Sequence, residues 1–268
     1  IEKLQILFEK YTKISPSMIE LEILETHALE EFSHIYKILQ TCQNMGMKIA
    51  LDDFGTGYSS LHYLKKFPLN IIKIDKSFVL DSLTQSSSLS IVDASLGLSR
   101  AFQCNVIAEG VESIEIGELL IQLGVSKAQG YAIAKPMDQK EVPAWMKSYK
   151  NHPKWLETKT LENENIAILY ASVEHRNWFD KIERYFNKSE IELPTMNYKE
   201  CYLGKWIDSD SSKIYKNKKE FKELKELHTD LHIIANKMLI QDSFDNDKFK
   251  ELTKMREKIL DKLQEIVV

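Results

Sequence analysis

A chain of 268 residues with 43% hydrophobic content is normal for a globular protein and long enough for one large domain or two ordinary ones. Its 36 Lys and Arg against 40 Asp and Glu give a net charge of -4 without a long basic block, which makes polymeric nucleic acid and anionic membranes poor partners. No apolar run approaches the roughly 18 residues of a membrane-spanning helix, and three scattered cysteines favour a reducing cytosol over a disulfide framework. We therefore expect a cytoplasmic protein with no membrane segment in this chain.

Short apolar runs alternate with amphipathic segments from residue 1 to about residue 146. This rhythm predicts βα units, because parallel strands need crossovers and gather their loops at the carboxyl ends, where α/β proteins keep their chemistry. The predicted strands are Met18–Ile23, Met47–Leu51, Ile71–Ile74, Val106–Ala108 and Val125–Ala132.

Polar groups stand at the carboxyl ends of these predicted strands. One acidic strand end is usually a solvated turn, and a bare Asp52-Asp53 pair favours that reading. Several carboxylates at one rim repel one another unless a divalent cation lies between them, and oxygen ligands suit Mg²⁺, Mn²⁺ or Ca²⁺ better than zinc. A carboxylate cage beside a lysine fits metal-assisted attack of water on a phosphodiester. The polar residues at these ends are Glu22, Asp52, Asp53, Lys73, Asp75, Glu109, Glu112 and Gln129.

The second of these strand ends continues into a glycine-rich turn. Adjacent strand residues point to opposite faces, so Asp52 and Asp53 can share one ion only where the strand already turns into its loop. Gly55 and Gly57 permit the backbone angles that such a turn needs.

Five segments together resemble the EAL domain of bacterial cyclic-di-GMP phosphodiesterases. The resemblance covers residues 1 to about 148 and implies a barrel related to the TIM fold, two Mg²⁺ or Mn²⁺ ions, and hydrolysis of cyclic di-GMP to linear pGpG. The segments are LEILE at 21–25, DDFGTGYSSL at 52–61, IKIDKSFV at 72–79, VIAEGVE at 106–112, and QGY at 129–131 with Pro136 and Met137.

The resemblance implies a role for each matching position. Lys73 would orient the attacking water, Gln129 would lie at the water and metal site, and the general base stays open between Lys73, Glu109 and a water activated by the metal. Glu112 would brace the loop from Asp53 to Ser60, a segment that the family uses for metal binding and dimer contacts, so we expect a homodimer. The implied Mg²⁺ or Mn²⁺ ligands are Glu22, Asp52, Asp53 and Glu109.

The chain departs from this pattern at its start. It opens at Ile1 in what reads as a helix end, and the family's Glu-x-Leu strand and a second strand with a metal-binding Asn would lie upstream. Five of the eight strands of such a barrel are predicted here. We therefore expect a truncated domain that is inactive by itself and a longer parent that is a phosphodiesterase.

Beyond Trp145 the βα rhythm stops and apolar stripes at helical spacing predict a four-helix bundle. His228 and His232 are one helical turn apart, so they can chelate one ion. A single buried histidine is more often satisfied by a hydrogen bond. Here His175, Cys201, His228 and His232 recur across three helices, and imidazoles with a thiolate form a natural zinc set.

This half resembles the CZB domain, a bacterial zinc-binding module of chemoreceptors and cyclic-di-GMP enzymes. The matching segments are HRNW at 175–178, CYLGKW at 201–206 and HTDLH at 228–232. The resemblance implies all four residues as Zn²⁺ ligands, and four protein ligands leave no open position, so this zinc should sense or brace rather than catalyse.

The predicted organisation is a partial TIM-like (β/α) barrel at 1–148, a connector at 149–159 and an all-α four-helix zinc-binding bundle at 160–268. A zinc-responsive phosphodiesterase is the first hypothesis for its function. A non-catalytic receptor for cyclic di-GMP is a second, and a redox sensor built on Cys201 is a third.

Overall fold

The computed structural model describes residues 1–26, 32–57, 65–187, 192–240 and 246–267. The chain divides into two compact units, one of residues 1–82 with 87–160 and the other of residues 83–86 with 161–268. Each unit has its own core.

The first unit is built on a parallel sheet of four strands in the order β1-β2-β3-β4, which is also their order along the chain. Described helices connect β1 to β2 and β3 to β4, as parallel neighbours require. The predicted partial (β/α) barrel is confirmed. The strands are β1 (Glu20–Leu24), β2 (Lys48–Phe54), β3 (Ile71–Ile74) and β4 (Asn105–Ala108), and the helices are α1 (Glu2–Lys10), α2 (Phe32–Asn44), α3 (Lys76–Asp81), α4 (Ser86–Phe102) and α5 (Ile114–Leu123).

Burial follows the position of each strand in the sheet. All four residues of β3 are buried, because β3 is an inner strand, whereas β1 alternates between exposed and half-buried residues. The core beneath the sheet contains Leu39, Ile49, Leu51, Phe54, Phe67 and Ile72.

The fifth predicted strand, Val125–Ala132, is wrong as a strand. The chain pairs with β4 only through a single parallel bridge between Ala108 and Ala128. At Gly130 it turns, since the carbonyl oxygen of Gly130 accepts the N–H groups of Ile133 and Ala134 at 3.0 Å each. Beyond the bridge the pairing passes to Val111, whose N–H donates to Gln129 O at 3.0 Å and whose carbonyl oxygen accepts the Ala132 N–H at 2.9 Å. The run is therefore paired irregularly and forms no regular ladder with β4.

The segment predicted as a connector contains a short helix that packs on α5. The Trp155 indole N–H donates to the carbonyl oxygen of Ile114 at 2.9 Å. Gly117 leaves room for the ring, because a Cβ at Gly117 would overlap the indole. Helix α6 comprises Val142–Ser148 and α7 comprises Pro153–Glu157.

The second unit contains the four predicted helices: α8 (Ile166–Phe186), α9 (Tyr202–Asp208), α10 (Lys219–Ile240) and α11 (Asn246–Glu265). Their predicted apolar stripes form one core that includes Ile168, Leu224, Leu231 and Ile259. Among the helices that the structure describes, none combines the length and the apolar character needed to cross a membrane.

Gly204 on α9 lies against the segment that precedes the helix. A Cβ at this position would overlap the carbonyl oxygen of Tyr198, which is backbone and cannot swing away. Gly97 on α4 has open space around it.

We expect Gly204→Ala to lower the free energy of unfolding of the helical unit by roughly 2 kcal/mol or more, because the added methyl group overpacks a backbone contact. Gly97→Ala should instead stabilise α4 by about 0.5 to 1 kcal/mol. Urea unfolding followed by tryptophan fluorescence and far-UV circular dichroism measures both. Equal stability of the Gly204→Ala variant and the parent chain would contradict the close approach.

Candidate active site and candidate metal centre

A single lysine connects the carboxyl ends of the strands in the first unit. The ammonium nitrogen Nζ of Lys73 on β3 lies 2.7 Å from Glu22 Oε1 on β1, 3.0 Å from Asp52 Oδ1 on β2, and 2.7 Å from Glu109 Oε1 just after β4. The parallel register brings these ends to one rim, and β3 is placed so that its lysine reaches both sides. The structure therefore brings together four of the predicted site residues.

The Lys73 side chain is only 6% exposed, so its charge depends on these partners. Burial by itself lowers the pKa of the ammonium, but the bonds to Glu109, Glu22 and Asp52 outweigh burial and raise the pKa well above its usual value. Lys73 is a permanent cation in this arrangement.

Asp53 occupies a left-handed conformation with φ 54°. The register between β2 and β3 shifts between Leu51 and Phe54, so the strand is already irregular where the two aspartates stand. Asp and Asn tolerate this region better than most residues. The turn brings oxygen atoms of Asp52, Asp53 and Glu109 within 4.8 Å of one another, which the alternation of a regular strand would prevent.

The carboxylates of this rim carry an electrostatic cost. Burial, and then the neighbouring Asp52 and Asp75, raise the pKa of Asp53. Burial also raises the pKa of Glu109; Lys73 opposes this effect, while Asp52 and Glu22 add to it. Crowded oxygen ligands whose ionised forms are disfavoured fit a hard divalent cation such as Mg²⁺ or Mn²⁺, which would offset the repulsion.

Gln129 also reaches this rim. Its side-chain amide Nε2 donates to Glu109 Oε1 at 2.7 Å, so Glu109 is held by Lys73 and Gln129 together.

Glu25 contributes to the site and was not assigned a role from the sequence. Its side chain is 2% exposed, and Oε2 accepts the backbone N–H groups of Gly55 at 2.7 Å and Gly57 at 3.2 Å. The only signal was a second glutamate three residues after Glu22. Glu112, for which a bracing role was predicted, is exposed; that role stays a prediction, and residues 58–64 of the loop lie outside the described residues.

The second unit contains a buried cluster of one thiol and two imidazoles. Ligand atoms of Cys201, His228 and His232 lie within 4.8 Å of one another, and Cys201 Sγ is 3.1 Å from His228 Nε2. The fourth predicted ligand, His175, lies beside the cluster with its ring centroid 5.7 Å from that of His228. The structure thus groups three of the four predicted ligands and places the fourth next to them.

Two imidazole nitrogens in this cluster are unsatisfied. Within the described part of the chain, Nε2 of His175 and Nε2 of His232 are buried without a hydrogen-bond partner. A buried polar atom without a partner costs about 1 to 3 kcal/mol. A cation that takes nitrogen and sulfur ligands would satisfy both atoms, so the residues fit the Zn²⁺ that the sequence predicts.

The protonation states of the three imidazoles agree with a role as metal ligands. Burial and the neighbouring His232 lower the pKa of His228 to about 3, and burial also lowers the pKa of His175 and of His232. The imidazoles are therefore neutral near pH 7, as metal coordination requires. Burial raises the pKa of the Cys201 thiol, while the N–H groups of Gly204 and Leu203 act in the opposite direction.

Comparison with known proteins assigns both units. A family model described as the EAL domain matches residues 1–136, and one described as the chemoreceptor zinc-binding domain matches residues 175–239. The cyclic di-GMP phosphodiesterase PdeR of Escherichia coli is 39% identical over 131 residues, which are 49% of this chain and 20% of that protein. The bifunctional diguanylate cyclase/cyclic di-GMP phosphodiesterase MucR of Pseudomonas aeruginosa is 37% identical over 131 residues, 49% of this chain and 19% of MucR.

A solved structure shares the fold of the first unit. The PaMucR phosphodiesterase in complex with c-di-GMP superimposes with a TM-score of 0.51 at 34% identity, covering 53% of this chain and 57% of that one. The chain spans about a fifth of the length of the curated relatives it matches.

Acidification should destabilise the metal-free helical unit. The folded state disfavours the protonated form of His228, so neutral His228 contributes its full stabilisation only above the unfolded pKa of about 6.5. As the pH falls from there toward 3, the free energy of unfolding decreases by about 1.4 kcal/mol per pH unit. Urea unfolding in the presence of a chelator at pH 7.5 and pH 5.5 measures the change. His228→Leu should show a smaller fall between the two pH values, and an equal fall in both proteins would contradict the assignment.

Proposed function

Because the chain belongs to the EAL domain family and carries a chemoreceptor zinc-binding domain, we propose that its first unit is the catalytic part of a phosphodiesterase that hydrolyses cyclic di-GMP to linear pGpG. The observation that carries the proposal is the contact of Lys73 with Glu22, Asp52 and Glu109 at one rim. A phosphodiester is negatively charged, and this rim combines the Lys73 ammonium with oxygen atoms that can bind further cations.

The acidic side chains would hold the metal. Glu22, Asp52, Asp53 and Glu109 would hold two Mg²⁺ or Mn²⁺ ions, which when bound supply an activated water and neutralise phosphate charge. Glu25 keeps the loop after Asp53 in place through Gly55 and Gly57, and so fixes where the Asp53 carboxylate stands.

Lys73 acts as a hydrogen-bond donor in this proposal rather than as a base. Its raised pKa keeps it protonated near neutral pH, so it orients the attacking water and stabilises charge that develops on the phosphate. Proton removal then falls to Glu109, which the two donors Lys73 Nζ and Gln129 Nε2 hold in position, or to the water that the metal would activate.

The second unit would regulate the first. Zinc held by Cys201, His228, His232 and His175 has no open position for catalysis, so we assign it a sensing or bracing role. Zinc can alter hydrolysis only by binding the active and inactive arrangements with different affinity. We propose that this regulation operates in a cytoplasmic homodimer.

Lys73→Met in the full-length gene product should lower hydrolysis of cyclic di-GMP by roughly 100-fold or more, since it removes the cation at the rim. Lys48→Met, an exposed lysine at the amino end of β2, is the matched control and should keep full activity. Chromatographic measurement of the pGpG that each variant forms in the presence of Mg²⁺ or Mn²⁺ tests this expectation.

The 268 residues alone should show no turnover in the same assay, because their four described strands form an open sheet rather than a closed barrel. If the full-length protein binds cyclic di-GMP but forms no pGpG, the protein is a receptor and the phosphodiesterase proposal is wrong.

Removal of zinc should change the rate of hydrolysis by the full-length protein, and Cys201→Ser should abolish the difference between zinc-loaded and chelator-treated protein. Cys104→Ser is the control, because Cys104 belongs to the first unit and is not one of these ligands. Identical rates in all states would leave the helical unit a passive brace.

A further inference from the structure

The segment that carries Cys201 has no helix or strand of its own, yet two of its carbonyl groups are held by helices. The Trp178 indole N–H on α8 donates to Thr195 O at 2.7 Å. His232 Nδ1 on α10 lies 3.0 Å from Met196 O, and Asn236 Nδ2 donates to the same oxygen at 3.2 Å. Residues 195 and 196 are thereby fixed to both long helices that contribute histidines.

The contact at Met196 decides which nitrogen of His232 is available. A carbonyl oxygen only accepts, so Nδ1 of His232 must carry the proton and Nε2 must present its lone pair. That Nε2 is one of the two buried imidazole nitrogens that have no hydrogen-bond partner among the described residues. Histidines that bind metals almost always donate their other N–H to a carbonyl or carboxylate.

Asn236 supports this arrangement from one turn further along α10. Besides Met196 O, its Nδ2 donates to the backbone oxygen of His232 at 3.0 Å. The carboxamide therefore ties the segment to the helix at the residue whose imidazole is being oriented.

Trp178 acts on two imidazoles. Its ring centroid lies 4.2 Å from that of His232 and 6.0 Å from that of His175, and the His175 ring is stacked nearly parallel to it, at an interplanar angle of 5°. The residue that holds Thr195 thus also sets the orientation of two rings of the centre.

From these contacts we propose that Trp178 and Asn236 are positioning residues of the zinc centre, acting through the Thr195 and Met196 carbonyls to place Cys201 and to present His232 Nε2. The inference rests on the proposed zinc binding. Neither residue supplies a metal ligand, and the motif at 175–178 includes Trp178 without explaining it.

The chain offers a matched control for each substitution. Trp206 is a second buried tryptophan of the same core, and its indole N–H has no hydrogen-bond partner among the described residues, so Trp206→Phe removes an indole without breaking a hydrogen bond. Thr229→Val removes a donor on α10 that bonds only within its helix, to Lys225 O at 2.9 Å.

The experiment measures zinc affinity of the 268-residue chain by competition with a chromogenic chelator, together with the visible absorption bands of the Co²⁺-loaded protein. We expect Trp178→Phe and Asn236→Leu each to weaken zinc binding by about 10- to 100-fold and to shift the Co²⁺ bands. Trp206→Phe and Thr229→Val should leave both readouts unchanged. Circular dichroism and unfolding without metal separate loss of positioning from loss of folding.

Parent-like affinity and an unchanged Co²⁺ spectrum in both test variants would overturn the inference while leaving zinc binding intact. Failure of the parent chain itself to bind zinc would overturn the proposed zinc function and this inference together. If Trp178→Phe does not fold, Asn236→Leu decides the question, because Asn236 is only half-buried and its loss leaves the core in place.

Discussion

The contact of the Lys73 ammonium with carboxylates from three separate chain segments is the constraint on which the first unit depends. A one-residue slip of β1 or β2 would turn Glu22 or Asp52 to the opposite face and leave a 6% exposed cation without one of its three partners. The Glu22 side chain is 47% exposed, so water screens its pair with Lys73 in part. The ion contacts therefore add to the apolar core in specifying the strand register, and the chemistry at the rim depends on the same register as the fold.

The two units solve the crowding of polar groups in different ways. In the first, a cation of the chain itself lies among the acidic groups, and the rim is open enough for water to reach part of it. In the second, the imidazoles of His175 and His232 are 2% and 1% exposed, and their Nε2 atoms have no partner in the described part of the chain. Asp52 Oδ1 at the acidic rim also lacks a hydrogen-bond partner among the described residues, but the Lys73 ammonium of the chain itself lies 3.0 Å from it, whereas a cation from outside would supply the partner that the two imidazole nitrogens lack.

Much of this arrangement follows from sequence patterns, and the exceptions have physical causes. The period of the apolar residues predicted four strands and the four-helix bundle, and the residue types at the strand ends predicted the acidic rim. The fifth strand failed because its partner β4 ends at Ala108, and the pairing then passes irregularly to Val111. Glu25 was overlooked because its role depends on two backbone N–H groups 30 and 32 residues away, which no local pattern encodes. His175 stands beside the cluster rather than within it because helical spacing determines a face but not a distance.

The helices hold the Cys201 segment by its main chain, and this has a consequence for how the sequence can vary. Carbonyl oxygens are the same in every residue, so the side chains at Thr195 and Met196 are not specified by the bonds from Trp178, His232 and Asn236. Thr195 can therefore vary as far as these bonds are concerned, whereas the Met196 side chain packs against the core and the Asn197 side chain bonds to Lys199 and Glu200. The conformation of the segment is thus determined jointly by the two helices and by the residues just before Cys201.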